Sequence, residues 1–129
     1  MIEQGLVTYL LANAGLTALI GNRLHDLVLP QSATVPAVVW QLISNPPEQT
    51  HSGPSQLAHP RYQFACWAKT TLEAAQTARA LRLALNGYTG MMGSEETYAT
   101  FLLDSHDFFD PETGLRRRIA DYRIWHKET

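Results

Sequence analysis

The sequence predicts an α+β domain of two layers. A largely antiparallel sheet of four to five strands carries two main helices, in the order α-β-β-β-α-β-β. Three observations support this. Apolar residues recur at helical spacing near the N-terminus and again after Thr70. Five further segments are strand-length, and most of them alternate or run apolar. Mostly short links join those strands, and short links make antiparallel neighbours. The 129 residues, 45% hydrophobic, suit a single domain spanning 1–129 with a real core.

Ile2, Leu6, Tyr9 and Leu10, widened by Val7 and Leu11, form the buried stripe of a helix over about 2–12. Asn13-Ala14-Gly15 reads as its stop signal, and Leu16 to Ile20 as one more turn before Gly21. Arg23 to Leu29 is a short strand closed by Pro30. Ala37 to Ser44, rich in Val38, Val39, Trp40, Leu42 and Ile43, is a strand covered on both faces or nearly so. Asn45 to Pro60 holds four prolines and only Leu57 as a large apolar side chain, so it reads as a long, flexible, exposed loop.

Arg61 to Ala68 is the next strand, with Tyr62, Phe64 and Cys66 alternating against Gln63, Ala65 and Trp67. Thr70 stands three residues before Glu73, the capping-box spacing. It opens a helix whose stripe is Ala74, Ala78, Leu81 and Leu85, with Gly87 placed to end it. Gly87 to Glu96 reads as a loop. Thr97 to Leu103 is a strand, extended by the polar run from Asp104 to Phe109. In Asp110-Pro111-Glu112-Thr113-Gly114 each residue type suits a turn. Leu115 to His126 then alternates, with Arg117, Ile119 and Asp121 on one face and Arg116, Arg118, Ala120 and Tyr122 on the other.

Composition excludes several functions. Ten Lys and Arg against twelve Asp and Glu give a net charge of −2, which supports neither specific nucleic-acid binding nor a membrane surface. No apolar run approaches the ~20 residues of a membrane span. The first residues, Met1 to Gly5, lack the basic start of a signal peptide, so synthesis in the cytoplasm is expected. The single cysteine, Cys66, makes neither an internal disulfide nor, alone, a zinc site.

No strong chemical constellation emerges, and no metal, cofactor or catalytic residue is assigned. Asp104 and His106 share a strand face beside Asp107. That is the one place where a small enzyme site or a metal is conceivable, but no third ligand is visible. Cys66 lies in an apolar strand and reads as core. The glycines at 87, 90 and 93 follow a helix rather than a strand, unlike a phosphate cradle. Arg116-Arg117-Arg118 splits across two faces. It reads either as a solvated strand start or as a contact to Asp110 and Glu112 of a neighbouring subunit. What remains suits an assembly protein, with sheet edges to manage and a proline-rich loop able to order against a partner.

The order and spacing of several segments resemble the tail-completion (tail-terminator, tail-to-head joining) proteins of long-tailed bacteriophages. The segments run from Ala14 to Arg23, Leu29-Pro30-Gln31, Pro36 to Trp40, Phe64-Ala65-Cys66-Trp67-Ala68, Asp110 to Leu115 and Tyr122 to Trp125. The Asp-Pro-Glu-Thr-Gly turn and the Cys-Trp-Ala segment weigh most. The loop 45–60, with its extra prolines and histidines, departs from the pattern. The resemblance implies an α+β virion protein that caps the head-proximal end of the tail tube and docks the head connector as a hexameric ring. Its partners would be further copies of itself, the major tail tube protein and the head connector or stopper, with DNA passing through the ring. A head-completion or stopper subunit of the neck is the nearest alternative. The expected contact residues are His51, Ser52, Gly53 and Pro54 in the loop, Asp110 and Glu112 in the turn, and Arg116 and Arg118.

Overall fold

The computed structural model describes residues 1–46, 49–50, 53–54 and 57–127, with the backbone alone for 49–50 and 53–54. Its first helix, α1 (Ile2–Leu11), buries Ile2, Gly5, Leu6 and Leu10, a spacing that keeps one stripe on the sheet. The second, α2 (Ala14–Ile20), is a full element rather than a trailing turn. Asn13 begins it instead of stopping α1. Its backbone is extended, and its side-chain oxygen accepts the Leu16 N–H at 3.0 Å. The third, α3 (Thr71–Leu85), starts where the sequence places its cap, with the Thr70 hydroxyl accepting the Glu73 N–H at 3.1 Å. Ala74, Ala78 and Ala84 let it lie close on the strands beneath. Gly87 follows the helix at φ +81, and its N–H reaches the Thr100 carbonyl at 2.8 Å, tying the helix end to the sheet.

The strands are β1 (Leu24–Asp26), β2 (Ala37–Ser44), β3 (Gln49–Thr50), β4 (Gly53–Pro54), β5 (Leu57–Ala58), β6 (Arg61–Ala68), β7 (Gly90–Met92), β8 (Glu95–Phe109) and β9 (Arg116–Lys127). One sheet of seven strands runs β1-β2-β6-β9-β8-β7, with β5 also pairing β9, while β3 and β4 pair separately. The expected α+β layering holds, but among the described residues the four to five strands of the main sheet become seven and the two main helices become three.

The sheet is mixed rather than wholly antiparallel. β1 and β2 run parallel, Leu24 opposite Val38 and Asp26 opposite Trp40. The long link 27–36 returns the chain to the start of β1 before β2 begins, which a tight hairpin cannot do. β7 forms where a loop was expected. Gly90 to Met92 pairs with Glu95 to Thr97 across a two-residue turn, so the glycines serve a hairpin.

The main core lies on the helical face of the sheet. Val38, Tyr62, Phe64, Cys66, Ala120, Tyr122 and Ile124 meet Leu6, Leu10, Leu16, Ile20, Leu81 and Leu85. Phe64 and Tyr122 touch edge to face, with ring centroids 5.6 Å apart. The opposite face carries only a small cluster of Val39, Ala65 and Ile119, packed against Leu29 and Trp67. The first half of β2 is therefore buried on both sides, as its apolar run predicts, and its last residues, Leu42 to Ser44, are exposed.

Candidate assembly surfaces

The β8–β9 hairpin carries four of the eight predicted contact residues, Asp110, Glu112, Arg116 and Arg118. Its turn is tightly built. Asp110 Oδ1 accepts the Glu112 N–H at 3.2 Å, and Oδ2 accepts the Thr113 hydroxyl at 2.8 Å. The Asp110 N–H donates to the Leu115 carbonyl at 2.9 Å, and Gly114 takes φ +73. The Asp110 carboxylate is thus spent on its own turn, while Glu112 points to solvent.

The three arginines that follow are also occupied at home. Arg116 lies over the Phe109 ring at 5.1 Å and donates to the Lys69 carbonyl at 3.0 Å. Arg117, on the other face, is sandwiched between Trp67 at 4.9 Å and Phe108 at 4.7 Å. Arg118 makes a two-pronged pair with Asp107, at 2.7 and 3.0 Å. Those hydrogen bonds hold the Asp107 carboxyl below the usual carboxylate range. The two bonded faces stiffen the hairpin. The stacking of Arg117 was hidden in the sequence, because Trp67 lies fifty residues away and meets it only through β6–β9 pairing.

Asp104, His106 and Asp107 do not form a centre. Asp104 and His106 lie opposite Asp121 and Ile119, whereas Asp107 turns to the helical face and holds Arg118. Among the described residues no group of three or more His, Cys, Asp or Glu is arranged to hold a metal. Cys66 is wholly buried, and burial pushes its thiol up to about 12, against a smaller opposing pull from Arg118.

That burial has a consequence for stability. Cys66 has an ordinary value of 9.0, and Tyr62 and Tyr122, also raised by burial, one of 10.0. The unfolded chain releases these protons at a lower pH than the native protein. The stability they contribute is present below pH 9 and is lost as the pH rises towards 12, at about 1.4 kcal/mol per pH unit for each such group. Urea midpoints should therefore be flat from about pH 7 to 8.5 and fall above pH 9, with a smaller initial fall in Cys66→Ala. Equal falls in both proteins would exclude the thiol as a cause.

The loop residues His51 and Ser52 lie outside the described residues. Gly53 and Pro54 form β4, opposite Thr50 and Gln49. Above the small apolar cluster, the link 27–36 and the hairpin turn enclose a cavity of about 420 Å³. Leu29, Val39, Ala65, Trp67, Leu115 and Arg117 are among its walls. Leu27 and Val28 border it but stand largely in solvent, Leu27 at φ +66.

Residues 4–127 match the family described as tail completion protein gp17. The chain belongs to that family. Members of this family are structural components of phage tails rather than enzymes. No helix of the described residues is long and apolar enough to cross a membrane. The fold is similar to that of a chain in the virion of a native gene transfer agent particle. The TM-score is 0.78 at 20% identity, covering 96% of this chain and 93% of that chain. No curated protein matches the sequence.

Proposed function

We propose that this protein caps the head-proximal end of the tail tube and joins the tail to the head connector, as a hexameric ring. The observation that carries the reading is the family match along residues 4–127. The similar chain in a gene transfer agent virion supports it, since that chain too belongs to an assembled particle. The partners are further copies of the chain, the tube protein on one side and the connector or stopper on the other. DNA passes through the ring without specific recognition.

The loop around His51, Ser52, Gly53 and Pro54 and the turn carboxylate of Glu112 are the proposed contacts to those partners. Asp110, Arg116 and Arg118 shape and stiffen the hairpin that presents Glu112. Purified protein mixed with tail tubes of the same genome should appear at one tube end by negative-stain microscopy. Binding to DNA-filled heads and not to tubes would instead mark a neck stopper. Deleting Thr50 to Ser55 should leave the far-UV spectrum and urea midpoint near wild type yet abolish joining. Infectious particles from that deletion would remove the loop from the mechanism.

A further inference from the structure

Between α3 and β8 lies a cavity of about 150 Å³, with Arg79, Arg82, Arg118, Ser105 and Tyr122 among its walls. Both of its sides are fixed. The Asn86 Oδ1 accepts the Leu102 N–H at 3.0 Å and the Gly87 N–H reaches the Thr100 carbonyl, so the end of α3 is bound to β8. Arg118 is held by Asp107, and that pair is neutral as a whole. Arg79 and Arg82 differ from it. They stand three residues apart on α3, so their side chains share one face of the helix. Both are exposed, and neither forms a hydrogen bond or ion pair with a described residue. Burial and Cys66 raise the Tyr122 phenol while Arg82 opposes them, which places that guanidinium within electrostatic range of the cavity wall.

Two uncompensated positive charges thus border this cavity, on a chain whose net charge is −2. Such a site suits a carboxylate, because guanidinium forks match its two oxygens. Leu83, 76% exposed, borders a second space of about 400 Å³ beside the same arginines. An exposed leucine beside paired charges suits a protein segment better than a sugar-phosphate backbone. This chain carries such a segment. Residues 111–114 are exposed, and Pro111 stands next to Glu112. The Glu112 N–H donates to Asp110, while its carboxylate pairs with no described residue. The arginines of its own chain are out of reach. Ser105 lies roughly 13 Å before Phe109 along β8, and the turn begins beyond that.

We propose that the Glu112 carboxylate of one copy seats between Arg79 and Arg82 on the next, with Pro111 against Leu83. This rests on the ring reading above and names the socket for a contact residue which that reading assigns. The turn and the cavity are different surfaces that one chain cannot join to itself. The contact is therefore head to tail, the kind that closes into rings. The turn is also built in advance. The Asp110 carboxylate holds Thr113, and its N–H holds Leu115, so little freedom is lost when Glu112 is gripped.

Charge exchange at tail-tube ends provides the test. All three side chains are exposed, so the variants should keep wild-type urea midpoints. Arg79→Glu with Arg82→Glu should lower tube-end occupancy about tenfold, and so should Glu112→Lys. Combining the three substitutions reverses both sides of the contact and should restore most of the loss. That rescue is expected only if the two sites meet. Full rings at wild-type occupancy from either reversal, or a combined variant no better than its parents, would overturn the contact and leave the ring reading standing. Normal rings from the arginine variant, with weaker binding of a short DNA duplex, would make this a phosphate site and overturn the contact. Wild-type protein with a single subunit per tube end, or none, would overturn the ring reading and this contact with it.

Discussion

Replacing Gly5 by valine should destabilise the protein by about 3 kcal/mol or more, enough to leave much of the population unfolded. A Cβ at this position would overlap the carbonyl oxygen of Met92 and stand 3.0 Å from its carbon. Gly93 meets Gly5 from the other side, where a Cβ on Gly93 would lie 3.0 Å from the Gly5 Cα. Both obstacles are backbone, so no rotamer change relieves them. Helix α1 would have to rise off the β7–β8 turn, carrying Ile2, Leu6 and Leu10 out of the core. Gly15→Ala is the control. Its nearest neighbour is the Asn13 side chain at 3.3 Å, and the residue is helical, so a change of less than about 1 kcal/mol is expected. Urea midpoints of the two variants check this. A Gly5→Val protein with a wild-type midpoint would mean that α1 does not seat as described.

That contact also shows where sequence reading stops. The glycines at 90 and 93 look like loop residues because their reason lies elsewhere. Gly93 is glycine so that the β7–β8 turn can approach Gly5, and one segment alone cannot reveal the other. The same limit explains Asn13, which suits the end of one helix and the start of the next; only its bond to Leu16 decides. By contrast, Ala37–Ser44 and Arg61–Ala68 were legible to the residue. Their patterns are local and their ends are marked by proline or by the Thr70 cap. The parallel course of β1 was not legible, because a link of ten residues permits either direction.

The assembly surfaces were legible only as segments. The turn 110–114 was recognisable from residue types, and the alternation after Leu115 correctly set Arg117 apart from Arg116 and Arg118. What those arginines do depends on Trp67, Phe108, Phe109 and Asp107, which the register of three strands brings near. The cavity of about 150 Å³ between α3 and β8, beside Arg79, Arg82 and Ser105, is less visible still. It is a space left by packing, and no residue type announces it.

The register of those central strands leads to the second large effect. Arg61 on β6 donates through both Nε and Nη2 to Asp121 Oδ2 on β9, at 3.0 and 2.5 Å. Asp121 is only 7% exposed, and Arg123, the strand partner of Arg61, stands two residues on, on the same face of β9. Arg61→Met keeps the aliphatic bulk and removes the donor, leaving a buried carboxylate without its main partner. Such a loss costs about 3–5 kcal/mol for a fully buried pair. The Arg61 side chain is 35% exposed, so water can replace part of the bond and about 2 kcal/mol is expected. Adding Asp121→Asn removes the stranded charge at nearly constant shape and should recover about half of that. Chemical denaturation of the two single variants and the double variant measures the coupling. If Arg61→Met were as stable as wild type, or the double variant no better than Arg61→Met, the pair would be a surface contact with no part in holding β6 to β9.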